Sequence, residues 1–139
     1  MKGGSFTFGV IKPTSFYDAG GIVNLIINGG FSIDLMITHQ FTMEEAKNLY
    51  AQHKDRDFFI PLCEYMCSGQ VYLMRLWLPE NDAVDKWREL MGATDPQKSS
   101  AGTVRKIYGR TLRENAVHGS DSKESAEREL KIFENLIGK

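Results

Sequence analysis

The segment QVYLMRLWL, residues 70–78, has apolar side chains at both its odd and its even positions. Successive side chains of a strand point to opposite faces of its sheet, so a strand that is apolar on both faces must be covered on both. This segment is therefore predicted to be a central strand. The fold class then depends on the elements that flank it along the chain.

Two other segments are predicted strands. SFTFGVIKP, residues 5–13, alternates and ends at its proline, and FSIDLMI, residues 31–37, alternates more regularly. The apolar residues expected on one face of the first are Phe6, Phe8 and Val10. Those expected on one face of the second are Phe31, Ile33, Leu35 and Ile37. The short run AVHG, residues 116–119, is compatible with a last strand.

Capping residues indicate where the first helices begin and end. Asp18 is expected to cap a helix that the glycine pair 29–30 stops. Thr42 and Glu45 form a capping box for a helix that runs through Tyr50.

The second half of the chain is less regular. A helix is expected at about residues 58–66, and another begins at Asn81 or Asp82 and is closed by Gly92. Residues 93–113 lack a clear period and are expected to form a long ordered loop.

A last helix, with capping signals at Asp121 and Glu124, is expected to bury one apolar face. That face consists of Ala126, Leu130, Phe133 and Ile137. The order of elements predicts an α+β fold, one antiparallel sheet with helices packed on it. The 139 residues are expected to form a single domain, 1–139.

Composition narrows the classes of function. The formal net charge of -1 argues against electrostatic binding to DNA or to an anionic membrane. No apolar run is long enough to cross a bilayer, and no signal segment is recognised, so a cytoplasmic location is expected. Cys63 and Cys67 are expected to be core or semi-buried residues rather than a disulfide or metal pair.

Several catalytic motifs are missing from the sequence, including the P-loop, the G-x-S-x-G elbow and H-E-x-x-H. His118, Ser120 and Asp121 lie too close together along the chain for a hydrolase triad. The loop offers a different chemistry, because five basic residues occur between Pro96 and Arg113 without an acid. They are Lys98, Arg105, Lys106, Arg110 and Arg113. On charge alone this is a solvated basic surface, and the alternative is an anion site leading to Asn115 and His118.

The string NAVHGSDS, residues 115–122, followed by ESAERE, residues 124–129, resembles the active-site motif of the nucleoside diphosphate kinase family. The resemblance covers essentially the whole chain, because other family blocks occur in the same order. They are GVIKP, LYAQHKDRDFF, YMCSG, LMGATDP and AGTVR. It implies a ferredoxin-like antiparallel βαββαβ sandwich with additional helices. The implied reaction is ping-pong transfer of the γ-phosphate of a nucleoside triphosphate, mainly ATP, to a nucleoside diphosphate, with Mg²⁺ carried by the nucleotide.

The resemblance also implies a role for each matching residue. His118 is the nucleophile through Nδ1, Glu129 orients its ring and Ser120 supports Glu129. The other implied catalytic residues are Lys12 and Tyr50. The phosphates are held by Arg88, Thr94 and Arg105, with Tyr50 and His53 lining the phosphate end. The ribose and phosphates are contacted by Lys12 and Asn115, the base by Phe58 and Leu112, and Gly119 leaves room for phosphate.

Four positions depart from the family pattern without touching the implied chemistry: Thr14, Asp57, Gln70 and Lys106. The resemblance further implies a homo-oligomer, a tetramer or hexamer built from dimers. Three alternatives remain at this level. They are a catalytically silent nucleotide-binding or regulatory module, a nucleic-acid-binding protein that uses the basic loop, and transfer of phosphate from His118 to another protein.

Overall fold

The computed structural model describes residues 3–138 as a four-stranded antiparallel sheet with helices on both faces. The strands are β1 (Ser5–Ile11), β2 (Ser32–His39), β3 (Val71–Leu78) and β4 (Val117–Gly119). The α-helices are α1 (Ala19–Asn28), α2 (Met43–Leu49), α3 (Phe59–Met66), α4 (Ala83–Met91), α5 (Val104–Tyr108) and α6 (Lys123–Ile137). Short 3₁₀ helices span Pro13–Asp18, Ala51–His53 and Pro96–Lys98.

The central position of β3 is confirmed, because the strand order is β2-β3-β1-β4. Val71 and Leu73 pack on one face with residues of α2, α3 and α6. Met74 and Leu76 pack on the other face with residues of α1 and α4. The two-sided apolar pattern therefore reflects two cores, one on each face of the sheet.

The expectation for β2 is wrong in one respect. Ile33 pairs with Leu76 and Leu35 pairs with Arg75, which leaves Asp34 as an extra residue in a bulge. A bulge shifts the alternation by one, so the side chains after it change face. Phe31 and Ile33 thus pack with α1 and α4, whereas Leu35 and Ile37 pack with α2, α3 and α6. Asp34 is held there by Arg75, whose Nε donates to Oδ2 at 2.6 Å.

The helices begin close to the predicted capping residues, but two predictions about the caps themselves need correction. The capping box of Thr42 and Glu45 is present as predicted. Helix α6, however, is capped by Ser122, whose hydroxyl accepts from the Ser125 backbone N–H at 3.0 Å, and not by Asp121. Asp18 and Asp82 occupy the N-cap positions of α1 and α4 without a side-chain cap bond.

The long loop expected at residues 93–113 is only partly irregular. It contains the 3₁₀ helix Pro96–Lys98 and helix α5, which Thr103 caps through its side chain. Val104 of α5 is fully buried against the core of α1 and α4. One buried apolar residue in a five-residue helix is too little for a periodic pattern, which is why the sequence did not reveal α5.

The buried face of α6 also differs from the expectation. Ala126 and Phe133 are buried and Leu130 is partly buried, but Ile137 is 43% exposed. Leu136 makes the core contact in the last turn instead. The face includes Glu129, a charged residue that an apolar pattern cannot predict.

Replacing Phe133 with Ala should lower the free energy of unfolding by about 3–5 kcal/mol, since it removes a buried ring that contacts Phe8 at a centroid distance of 5.7 Å. Ile137→Ala on the same helix should cost no more than about 0.5 kcal/mol. Urea denaturation of both variants measures the difference, and equal losses would contradict this assignment of the helix face.

Candidate active site

His118 lies on β4, the short edge strand that pairs with β1, opposite Val10. Its side chain is 14% exposed. The ring makes T-shaped contacts with two aromatic rings. The distance between ring centroids is 5.2 Å to Tyr50 and 6.1 Å to Phe8. The imidazole is therefore held by packing on the face that α2, α3 and α6 cover.

A buried carboxylate fixes one ring nitrogen of His118. Glu129 Oε1 lies 2.7 Å from Nε2 and accepts from the Ser120 hydroxyl at 3.0 Å. Glu129 is 2% exposed, and a buried carboxylate is tolerated only where donors reach it. Nε2 therefore carries the hydrogen, and the lone pair is on Nδ1. No side chain of residues 3–138 hydrogen-bonds to Nδ1, so that lone pair is available for reaction.

The backbone just before β4 is strained. Ala116 has a φ of 75°, and the Val117 N–H donates to the Asn115 carbonyl at 2.9 Å, which closes a three-residue turn. Such turns are rare for residues other than glycine and persist only where surrounding contacts hold them. Here the Lys12 N–H donates to the Ala116 carbonyl at 2.8 Å. The turn places Asn115 beside Lys12.

Lys12, Asn115 and Thr94 form a connected group. The Lys12 ammonium donates to Asn115 Oδ1 at 2.7 Å and to the Arg113 carbonyl at 3.3 Å. The Asn115 amide nitrogen donates to the Thr94 carbonyl at 3.0 Å. Lys12 is buried, and burial, with a smaller effect of the Arg105 charge, lowers its pKa to about 7. An anion bound here would restore the charged form.

Arg105 of α5 lies close enough to this group for its charge to lower the pKa of Lys12. Its guanidinium donates to the Gly92 carbonyl at 3.1 Å and to the Val117 carbonyl at 2.9 Å, which ties α5 to the strand of His118. Burial lowers the Arg105 pKa to about 10. In the described residues, buried Arg105 Nε and the buried Tyr50 hydroxyl lack hydrogen-bond partners, and burial raises the Tyr50 pKa. Unpaired buried polar atoms are costly unless a ligand or water satisfies them.

The outer part of the site is more open. The exposed Arg88 donates to the Asp121 carbonyl at 3.4 Å. Phe58 is 38% exposed, and its ring lies 5.3 Å from the His53 ring. Burial and the Arg56 charge lower the His53 pKa. Leu112 is 63% exposed, and within the described chain no recorded bond ties it to the rest of the site.

Gly119 packs closely against helix α4. A Cβ at this position would lie 2.5 Å from Trp87 Nε1 and 2.6 Å from Met91 Cε, both on α4. A side chain larger than hydrogen would therefore collide with α4, and the proposed role of Gly119 beside the phosphate stays a prediction.

None of the four departures from the family pattern falls on a residue assigned to the site. The Thr14 hydroxyl is 2.6 Å from the Tyr65 hydroxyl and links the end of β1 to α3. Asp57, Gln70 and Lys106 are exposed. Sequence reasoning also missed three features of the site that depend on contacts across the fold, namely the strained Ala116, the Arg56 charge over Phe58 and the bond between Gln52 and Asp121.

Comparison with known proteins shows the family of the chain. A family model described as nucleoside diphosphate kinase matches residues 5–135. The chain belongs to the nucleoside diphosphate kinase family. Its relatives include the nucleoside diphosphate kinase of Bdellovibrio bacteriovorus, which is 46% identical over 129 residues that cover 91% of this chain and 90% of the relative. That of Sorangium cellulosum is 43% identical over 91% of this chain and 88% of the relative.

Solved structures agree with this assignment. The Aquifex aeolicus nucleoside diphosphate kinase superposes with a TM-score of 0.88 and 33% identity over 94% of each chain. The enzyme from Encephalitozoon cuniculi superposes with a TM-score of 0.86 and 33% identity, over 92% of this chain and 87% of that chain. The predicted family, the α+β ferredoxin-like fold and the enzyme class, a phosphotransferase, are confirmed. A catalytically silent module is not favoured.

The Lys12 ammonium should give the protein a distinct pH dependence. The unfolded chain keeps the ordinary pKa of 10.5 whereas the folded protein has about 7, so between these values the unfolded state binds more protons. The free energy of unfolding should therefore rise with pH across this window, by at most about 1.4 kcal/mol per pH unit. Lys12→Met should remove that rise. Denaturant titrations at several pH values measure the free energy of unfolding of both proteins, and an equal rise with pH in wild type and variant would refute the prediction.

Proposed function

We propose that this protein, acting as a single domain, transfers the γ-phosphate of a nucleoside triphosphate, mainly ATP, to nucleoside diphosphates through a phosphohistidine on His118. The observation that supports this most directly is the hydrogen bond of Nε2 to buried Glu129, which leaves the Nδ1 lone pair free. A ring fixed at one nitrogen presents the other as an oriented nucleophile.

The reaction has two balanced steps. Nδ1 attacks the γ-phosphorus, the bond from that phosphorus to the bridging oxygen breaks, and the nucleoside diphosphate leaves with the electron pair. After nucleotide exchange, a terminal oxygen of the second diphosphate attacks the phosphohistidine, and the P–N bond breaks with return of its electron pair to Nδ1. Glu129 stabilises the hydrogen on Nε2 while Nδ1 is phosphorylated, and Ser120 holds Glu129.

The remaining residues position charge. Phosphoryl transfer depends on alignment and on stabilisation of the phosphate oxygens more than on acid–base chemistry. We assign Lys12, Arg88 and Arg105 to the phosphates, together with Thr94, Tyr50 and His53, and Asn115 with Lys12 to the ribose. The unpaired Arg105 Nε and Tyr50 hydroxyl support this assignment, because a phosphate would provide the missing acceptors.

Mg²⁺ is proposed to arrive on the nucleotide as part of the substrate. Across residues 3–138, no group of three or more His, Cys, Asp or Glu side chains is placed to hold a metal ion. The cations Lys12, Arg88 and Arg105 instead suit the oxygens of a magnesium–nucleotide complex.

The base is proposed to stack on Phe58, with Leu112 on its other face. Both side chains are exposed and therefore accessible to a ligand. Stacking uses the π-face that every base has, so the enzyme should accept purine and pyrimidine nucleotides.

We further propose a cytoplasmic homo-oligomer, a tetramer or hexamer assembled from dimers. None of the helices within residues 3–138 has the length and apolar character needed to cross a membrane.

His118→Asn should reduce turnover at least about a thousandfold while nucleotide affinity stays within about threefold of wild type. His39→Asn is the matched control, because His39 also pairs with a carboxylate, Glu45 Oε1, at 2.9 Å but lies at the end of β2. Protein mixed with Mg²⁺ and γ-labelled ATP should gain acid-labile, base-stable label that moves to GTP when GDP is added. Label on His118→Asn, or none on wild type, would overturn the covalent mechanism.

Phe58→Ala should raise KM for ADP, GDP, CDP and UDP by a similar factor, roughly 5- to 100-fold, since each base loses the same stacking surface. Phe6→Ala is the control, because Phe6 and Phe58 are both exposed and each has a guanidinium over its ring. The guanidinium carbon of Arg56 lies 5.4 Å from the centroid of Phe58, and that of Arg75 lies 5.7 Å from the centroid of Phe6. A rise in KM for one base only would show that Phe58 does not act as a general platform.

A further inference from the structure

Residues 51–58, here called the wall segment, connect α2 to α3 and carry His53 and Phe58. Six of its eight residues are exposed, and its backbone hydrogen bonds are local, such as His53 N–H to the Tyr50 carbonyl and Arg56 N–H to the His53 carbonyl. A segment with few buried contacts and exposed local hydrogen bonds has low local stability. Its position therefore depends on contacts to other elements.

In the described part of the chain, a single recorded hydrogen bond joins the wall segment to an element outside the α2–α3 pair. Gln52 Nε2 donates to Asp121 Oδ2 at 3.3 Å. The same nitrogen lies 3.4 Å from His53 Nε2, and the His53 ring lies against Phe58. One amide group thus contacts both His53, on the side of the site where the base is proposed to stack, and the turn that follows His118.

Asp121 is itself held from several directions. Its carbonyl accepts from Arg88 of α4 at 3.4 Å. Hydrogen bonds from Ser125 and Gln52 lower the pKa of its carboxyl, which keeps the carboxylate charged at neutral pH. A charged acceptor strengthens the bond from Gln52. Asp121 is therefore the residue at which the wall segment, α4 and the turn after β4 meet.

We propose that Gln52 is a positioning residue that holds the wall segment against the turn after β4 and thereby maintains the cleft in its nucleotide-binding form. The inference rests on the function proposed above. Gln52 does not touch His118 in this arrangement and takes no part in the chemistry. Its bond orders the segment before nucleotide arrives, so binding does not include the entropy cost of ordering these residues. Without the bond, the apparent affinity falls in proportion to the fraction of molecules in the competent form.

Gln52→Ala should weaken binding of ADP with Mg²⁺, measured by calorimetry, and raise KM by the same factor, about three- to tenfold for one exposed hydrogen bond, with kcat within about twofold. Hydrogen exchange of residues 51–58 should accelerate in this variant without nucleotide. Gln40→Ala is the matched control. Gln40 makes a similar exposed bond, from Nε2 to the Cys67 carbonyl at 3.2 Å, at the far end of the same helix pair. Its affinity and KM should equal those of wild type.

Introducing a negative charge at position 52 gives a sharper test. Gln52→Glu places two carboxylates together and should weaken ADP binding more than Gln52→Ala. Adding Asp121→Asn to Gln52→Glu restores a donor and an acceptor in the opposite order, so the double variant should bind ADP more tightly than Gln52→Glu alone. Unchanged ADP affinity in Gln52→Ala, an equal loss in Gln40→Ala, or no recovery in the double variant would overturn the inference. A wild type that binds ADP but forms no phosphoenzyme would instead refute the proposed function.

Discussion

The carboxylate of Glu129 is almost completely buried, and it is compensated by two groups on or just after β4, the His118 ring and the Ser120 hydroxyl. A buried carboxylate without such donors would be strongly destabilising, so α6 and β4 must dock in one register. The same register packs Phe133 of α6 against Phe8, whose ring also contacts His118. The interaction that orients the His118 ring, the proposed nucleophile, is therefore part of the packing of α6 on the sheet.

The residues proposed to hold phosphate are, unlike Glu129, incompletely compensated. Lys12 and Arg105 are held in a partly dry environment close enough for the charge of one to lower the pKa of the other, and Arg105 Nε and the Tyr50 hydroxyl lack partners among the described residues. Such an arrangement lowers the stability of the empty protein and favours an anion that supplies the missing acceptors. If these residues bind phosphate as proposed, activity and stability are opposed at them, which is common where a site is preorganised.

The outer edge of the cleft is less constrained than its floor. The residues around His118 are strand residues and buried side chains, whereas segment 51–58, on which the base is proposed to stack, is mostly exposed. Such a division fits an enzyme that must fix a phosphate accurately and yet admit and release different nucleotides. The bond of Gln52 to Asp121 joins the two parts at one point.

Local sequence determined much of this protein: the central strand from its two-sided apolar pattern, the capping box at Thr42, the helix stops at glycines, and a family motif that contains His118, Ser120 and Glu129. Those features depend on neighbouring residues, so they can be read along the chain. The bulge at Asp34, the left-handed Ala116, the packing of Gly119 against Trp87 and the burial of Glu129 were decided only in the tertiary structure. Each depends on a partner far away in sequence, such as Arg75, Lys12 or α4, and a local pattern carries no information about which distant groups will meet it.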